Sequence, residues 1–485
     1  MEYITSIKNL NLKFPKEEGL LFNDLSISIR KGEKVLLLGP SGCGKSTLLQ
    51  VLTGLIPRSM DVPLKSESIQ IPDSWGFVFQ DPDSQFCMPY VDEEIAFVLE
   101  NLRIPREEMT DRIKKLLTTV GLQLDNIHNK IQALSGGMKQ RLALASVLAL
   151  DPEVIFLDEP TALIDDDGTA QVWDTVKSIA DDKTLIIVEH KIDQIIDIID
   201  RIIVFTDDGT IMADGEPAYV FSHFKAEIKR FGIWYPNAWG EYIKEKANIT
   251  YNNYSDTVLN LDNFRGYRGK VPAITLEKAT VQSGEWIAVT GANGAGKSTL
   301  ILSLMQLLRT TGEYKIEGRP IRSFSDLEKK TYFVFQNPEY QFLTNRVIDE
   351  LTYDIRQRVS PDVMKQANDL LSLFGLKDKQ NQHPYHLSLG QKRRLSVATA
   401  FLQDPKILLL DEPTFGQDSK NTFKLLELLQ EESRKGTIII MVTHDLNIIH
   451  HFATRVWEVK GGKVICDWKK DEIKREEGRM YEYTY

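Results

Sequence analysis

Two stretches of this chain, GPSGCGKST at 39–47 and GANGAGKST at 291–299, combine residues that can grip a phosphate chain. Both fit the pattern GxxxxGK[ST]. Glycines let the backbone curl so that successive N–H groups point inward at an anion. A helix that starts there adds the positive end of its dipole. The candidate binding residues are Gly39, Pro40, Ser41, Gly42, Cys43, Gly44, Lys45, Ser46 and Thr47, and then Gly291, Ala292, Asn293, Gly294, Ala295, Gly296, Lys297, Ser298 and Thr299. Lys45 and Lys297 would reach the β- and γ-phosphates of a nucleotide, and the Ser46 and Ser298 hydroxyls would ligate Mg2+. One such match could be a glycine turn before a helix. Two matches, each between an apolar run and an STL segment, point to phosphate binding.

Other residues extend the same chemistry. VIFLDEPT at 154–161 and ILLLDEPT at 407–414 each deliver an acid pair to the end of an apolar run. Asp158 and Asp411 would hold Mg2+ directly or through water, and Glu159 and Glu412 would orient and polarise an attacking water. His190 and His444 each close a further apolar run, at nearly equal distances behind the two aspartates. A lone histidine is more often structural, but this repeated placement favours a γ-phosphate sensor. Gln80 and Gln336 close two FVFQ runs and join the aspartates and serines as candidate metal-site residues.

Every one of these motifs occurs twice and in the same order. The pairs Lys45/Lys297, Ser135/Ser388, Asp158/Asp411 and His190/His444 keep almost the same separation, so one domain stands in tandem. The expected boundaries are a first domain at 1–225, a connector at 226–257, a second domain at 258–470 and a charged terminal extension at 471–485. The connector contains IWYPNAWGEY, whose Trp234, Tyr235, Trp239 and Tyr242 predict packing on a domain surface, with a partner-binding element as the other reading. The elements that must position the motifs follow from the apolar runs. KVLLL, VIFLD, TLIIV, EWIAVT, ILLLD and TIIIMV read as buried strands, with longer helical segments such as MKQRLALASVLAL between them. The fold class is α/β: two P-loop NTPase domains in tandem, each a mainly parallel sheet covered by helices.

The chain has 485 residues, 42% hydrophobic and 26% charged, and a net charge of −10. That composition fits folded globular domains. No run approaches a bilayer-spanning length, and the N-terminus lacks a signal-peptide pattern, so a cytosolic chain is expected. The three cysteines form no metal-ligand cluster. No basic run suggests nucleic-acid binding.

The order of motifs resembles the ATP-binding cassette family: phosphate loop, glutamine loop, LSGGQ-type signature, LDEP and switch histidine. The resemblance covers nearly the whole chain, twice, and implies ATP and Mg2+ as ligands. It implies that the two halves pair head to tail as the ATPase dimer within one chain. Ser135 and Gly137 would then face the nucleotide on Lys297, and Ser388 and Gly390 the one on Lys45. Phe14 and Tyr267 match where the family stacks adenine. The signatures depart from the pattern: LSGGM carries Met138, and LSLGQ carries Leu389, whose bulk predicts a weaker site at Lys45. Cys43 inside the first loop raises the expectation that thiol alkylation blocks ATP there.

QDPDSQF and QNPEYQF, followed by VDEEIAF and VIDELTY, resemble the ATPase subunits of energy-coupling-factor importers. In those proteins this segment borders a groove for the membrane subunit, which Phe86 and Phe342 would line. The resemblance implies a peripheral protein on the cytoplasmic face of the membrane. Its partners would be a transmembrane coupling subunit and a small membrane substrate-binding subunit, with no nucleic acid. The cargo would be a vitamin, a vitamin precursor of the HMP/thiamine kind or a metal ion. The alternatives are a soluble tandem ATPase acting on ribosomes or nucleic acid and a duplicated sugar-importer ATPase.

Overall fold

The computed structural model describes residues 2–15, 19–162, 164, 166–246, 256–353 and 360–470. They form two compact units. The first runs to Ala238 and takes in Asp418–Lys420; the second contains Trp239–Gln417 and resumes at Asn421.

In the first unit the apolar runs become the strands Lys34–Leu38, Val154–Asp158 and Thr184–Val188, flanked by Trp75–Val78 and Arg201–Phe205. All of these pair in parallel, and the antiparallel edge strand Ile211–Gly215 completes a six-stranded sheet. Every residue of Val154–Asp158 and Thr184–Val188 is buried, because helices cover both faces. The helices Lys45–Leu52 and Gly136–Leu148 begin directly at the phosphate-loop lysine and after the signature serine. A second, antiparallel sheet joins Tyr3–Leu12 to Phe22–Arg30 and to short strands at Leu64–Lys65 and Ser68–Gln70. Its apolar side chains, Ile7, Leu10 and Phe22 among them, close one core with the phosphate-loop helix.

The second unit repeats this plan in one ten-stranded sheet. Its parallel part holds Thr331–Val334, Ile407–Asp411, Ile438–Val442, Trp286–Thr290 and Arg455–Lys460. Its antiparallel arm is built on Thr257–Arg268 and Val271–Gln282, joined to the rest where Thr275 pairs with Lys463. The antiparallel arms are additions to the expected plan. Their strands are long and half-exposed, so they lack the unbroken apolar runs that announce the buried ones.

The connector helix Ala238–Glu245 packs on the second unit. The Tyr242 ring stacks on Phe423 with centroids 4.1 Å apart, and Trp239 meets Phe423 edge-on at 5.0 Å. The end of the connector at 247–255 and the extension at 471–485 lie outside the described residues.

Candidate functional site

Each phosphate loop leaves a buried strand and enters a helix through a glycine in the left-handed region, Gly44 at φ 100° and Gly296 at φ 116°. A side chain at Gly44 would also lie 2.7 Å from the Phe22 ring. The lysines turn back over their own loops. Lys45 Nζ donates to the carbonyls of Gly39 at 2.7 Å and Pro40 at 3.0 Å. Lys297 Nζ donates to Gly291 at 2.5 Å and Ala292 at 3.1 Å. These carbonyls hold the ammonium in place of a phosphate, at the position the motif requires.

In the first unit, Ser46 Oγ donates to Asp158 Oδ1 at 2.8 Å. Burial pushes the Asp158 carboxyl up to about 6, against the pull of Ser46 and Lys45. A buried carboxylate beside a hydroxyl is a pair of hard oxygen donors of the kind that suits Mg2+. Glu159 follows in a left-handed turn at φ 47°, rare for a side chain of its size, and its N–H donates to Val188 at 2.8 Å. Gln80 Nε2 donates to its carboxylate at 2.8 Å, and His190 Nε2 lies 3.1 Å from the other oxygen. Burial alone would raise the Glu159 carboxyl, but His190 and Lys45 outweigh it and hold it below its ordinary value.

The second unit assembles the same set less tightly. Glu412 takes the same turn at φ 49°, with its N–H on Val442 at 3.1 Å. Gln336 Nε2 stands 3.5 Å and His444 Nε2 3.7 Å from its carboxylate. With His444 further away, burial prevails and Asp411 adds to it, so Glu412 lies above its ordinary value. Asp411 is also raised by burial, against Ser298, Lys297 and Arg393.

The signature residues lie at helix starts. Ser135 caps Gly136–Leu148 by accepting from the Met138 N–H at 3.3 Å, and Gly137 is buried against Gly168. Ser388 forms a reciprocal capping box with Gln391, which Met138 cannot offer in the first unit. Leu389 is exposed and Gly390 half-buried. Phe14 is half-buried against the phosphate-loop core. Tyr267 carries the Arg309 guanidinium 5.4 Å above one face of its ring.

Three expectations change. Cys43 is buried, its thiol lying under the loop and raised by that burial, and its N–H donates to the Pro40 carbonyl at 3.3 Å, so alkylation has no direct path. Phe342 is part of the core and Phe86 is half-buried; the exposed apolar side chains of the second segment are Tyr340 and Leu343. The strands stop at Val188, Val442, Val78 and Val334, so the histidines and glutamines sit in the turns beyond them.

Other residues were not foreseen. The buried Glu189 accepts from Thr161 Oγ1 at 2.6 Å and from the N–H of His190 at 2.7 Å, where the second unit has Thr443. The buried Arg393 lies near Asp411 and Glu412, where the first unit has Gln140. Only the letters E in VEH and R in KRR signalled them. The acidic stretches also gain a structural meaning. Glu94 accepts from the N–H groups of Cys87 and Met88 at 2.9 and 2.8 Å, and Glu350 from Leu343 and Thr344 at 3.0 and 2.8 Å.

Among the described residues no helix is long and apolar enough to cross a membrane. Residues 22–162 and 277–415 match the family described as "ABC transporter". A Bacillus subtilis (strain 168) protein, provisionally named as the HMP/thiamine import ATP-binding protein YkoD, is 36% identical, with 93% of this chain and 89% of that protein covered. A Sulfurisphaera tokodaii protein, provisionally named as an ABC transporter ATP-binding protein, is 33% identical over 96% of this chain and 98% of its own length. Among solved structures, the complex of archaeal ribosomal stalk protein aP1 and ribosome recycling factor aABCE1 aligns over 97% of this chain and 92% of that one. Its TM-score is 0.64 at 19% identity, a likeness of fold alone.

Proposed function

This chain belongs to the ABC transporter family, and on that premise we propose that it is the ATP-hydrolysing subunit of an importer of the energy-coupling-factor type. The observation that carries the ATPase reading is the double site: both units bring lysine, serine, aspartate, glutamate, glutamine and histidine together around a phosphate loop. Lys45 and Lys297 would exchange their loop carbonyls for phosphate oxygens. Ser46 with Asp158, and Ser298 with Asp411, would hold Mg2+, which neutralises charge on the transferring phosphoryl group when bound. Glu159 and Glu412 would orient the attacking water, with His190 and His444 reading the γ-phosphate.

We further propose that the halves pair head to tail, so that Ser135 and Gly137 serve the nucleotide on Lys297 and Ser388 and Gly390 the one on Lys45. The domain limits at 1–225 and 258–470 follow this reading. The importer role, a transmembrane coupling subunit, a small substrate-binding subunit and a station on the cytoplasmic face of the membrane are supported by the QDPDSQF and QNPEYQF segments and by the relative named for HMP/thiamine import. A vitamin, vitamin precursor or metal ion is the cargo class in this reading.

The test is gentle detergent purification of the tagged chain from its own cells, with mass spectrometry of what accompanies it. Polytopic membrane proteins, including a small one that binds the cargo, are the expected companions. Ribosomal proteins without any membrane partner would overturn the transport reading and leave the ATPase reading intact.

A further inference from the structure

The two halves hold their water-orienting glutamates by different means. In the first half the carboxylate itself is gripped, by Gln80 at 2.8 Å and His190 at 3.1 Å. In the second half those distances open to 3.5 and 3.7 Å. What the second half has instead is Arg393, a guanidinium only 4% exposed. Its Nη2 donates to the carbonyl of Gln336 at 3.0 Å, and its Nη1 donates to the carbonyl of Phe415. The Phe415 N–H in turn donates to the Glu412 carbonyl at 3.3 Å. Arg393 therefore ties the loop that carries Gln336 to the turn that carries Glu412.

Among the described residues nothing equivalent spans the first half. The matching residue, Gln140, donates to the Phe79 carbonyl at 3.1 Å, and Ala162 stands where the second half has Phe415. The two differences go together, because the Arg393 guanidinium lies 5.3 Å from the centre of the Phe415 ring. Packing alone accounts poorly for this arginine. Burial depresses its guanidinium to about 10, and its Nε finds no acceptor among the described residues.

We propose that Arg393 is a positioning residue for hydrolysis in the second half, fixing the Gln336 loop against the Glu412 turn. The inference rests on the reading that the second half hydrolyses ATP, so turnover by Glu159→Gln, which removes the first half's water-orienting glutamate, is measured first. No turnover there would count against that reading. Arg393→Gln is then compared with the unaltered chain for turnover, half-saturating ATP and thermal midpoint. A group that orients a catalytic carboxylate without touching nucleotide changes turnover and leaves affinity alone. The expected result is turnover reduced toward the share that an unimpaired first half supplies, about half where the halves are equal and less where the first is slower, with half-saturating ATP within about twofold. The double variant Arg393→Gln/Phe415→Ala copies the Gln140–Ala162 pair of the first half and covers the case in which the single variant folds poorly. It is expected to fold and stay slow. Unchanged turnover in Arg393→Gln, a parallel loss of ATP affinity, or full turnover in the double variant would overturn the proposal.

Discussion

Tyr242→Ala tests whether the connector helix belongs to the second domain or merely leads to it. Tyr242 is 8% exposed and lies flat on Phe423, with ring planes 2° apart and centroids at 4.1 Å. An aromatic side chain removes on the order of 150–250 Å2 from water, which at about 25 cal/mol per Å2 is roughly 4–6 kcal/mol. Compactness of the unfolded chain and the area that alanine retains reduce this to about 3 kcal/mol, the lower end of measured aromatic truncations. The reporter is amide exchange in the helix Ser419–Lys435, which carries Phe423. If the connector helix and that helix open together, a loss of about 3 kcal/mol speeds exchange there by roughly a hundredfold. Phe423→Ala should be non-additive with Tyr242→Ala by about 0.5–1.5 kcal/mol, the share owed to the ring pair. Exchange unchanged within about threefold, which is under 1 kcal/mol, would refute the reasoning and make the helix a detachable tether.

Cysteine reactivity should rank by exposure rather than by motif. Cys87 is exposed and should react with a maleimide first, while Cys43 should wait for unfolding, as peptide mass mapping over time would reveal. Glu189 carries a carboxyl raised by burial, so the folded state resists its ionisation. Wild-type stability is therefore fully present below the unfolded value of about 4.3 and falls as pH rises through the higher folded value. Glu189→Gln should remove that fall. Denaturant midpoints without nucleotide should diverge in favour of the variant between pH 4 and pH 8, and parallel curves would show the burial term to be negligible. Leu389 predicts that the site on Lys45 is the slower one, so Glu412→Gln should cost more turnover than Glu159→Gln. Equal losses in a phosphate-release assay would remove Leu389 as the cause.

What could be read from the letters depended on how much of its setting a residue carries with it. The parallel strands announce themselves because helices bury both faces, leaving runs such as VIFLD and TIIIMV with no polar gap. Lys45, Ser46, Asp158 and their counterparts carry their spacing with them, since a phosphate chain and a divalent cation dictate both residue type and distance. The antiparallel arms were hidden because alternating strands in a half-exposed sheet look like many surface segments. The thiol of Cys43 was misplaced for a different reason. A loop motif specifies the direction of N–H groups, whereas the side chain of a tightly curled turn can point into the core just as readily. Phe342 shows the same limit, because an aromatic in a binding segment can serve the fold while Tyr340 and Leu343 beside it meet the solvent.

The duplication supplies a comparison that a single domain lacks. The lysine, serine, aspartate, glutamate, glutamine and histidine of the candidate sites are alike in both halves. Positions one step behind them are not: Glu189 against Thr443, Gln140 against Arg393, Ala162 against Phe415. Glu189 adds a buried carboxylate to a half whose glutamate is already gripped by an imidazole, and Arg393 adds a buried cation to a half whose imidazole stands off. Both stand beside a glutamate in a left-handed turn, Glu189 on the His190 N–H and Arg393 on the Gln336 carbonyl. Three such differences border Glu159 and Glu412, and on the proposal that both halves hydrolyse ATP they give an engine built from two sites in one chain the means to use them unequally.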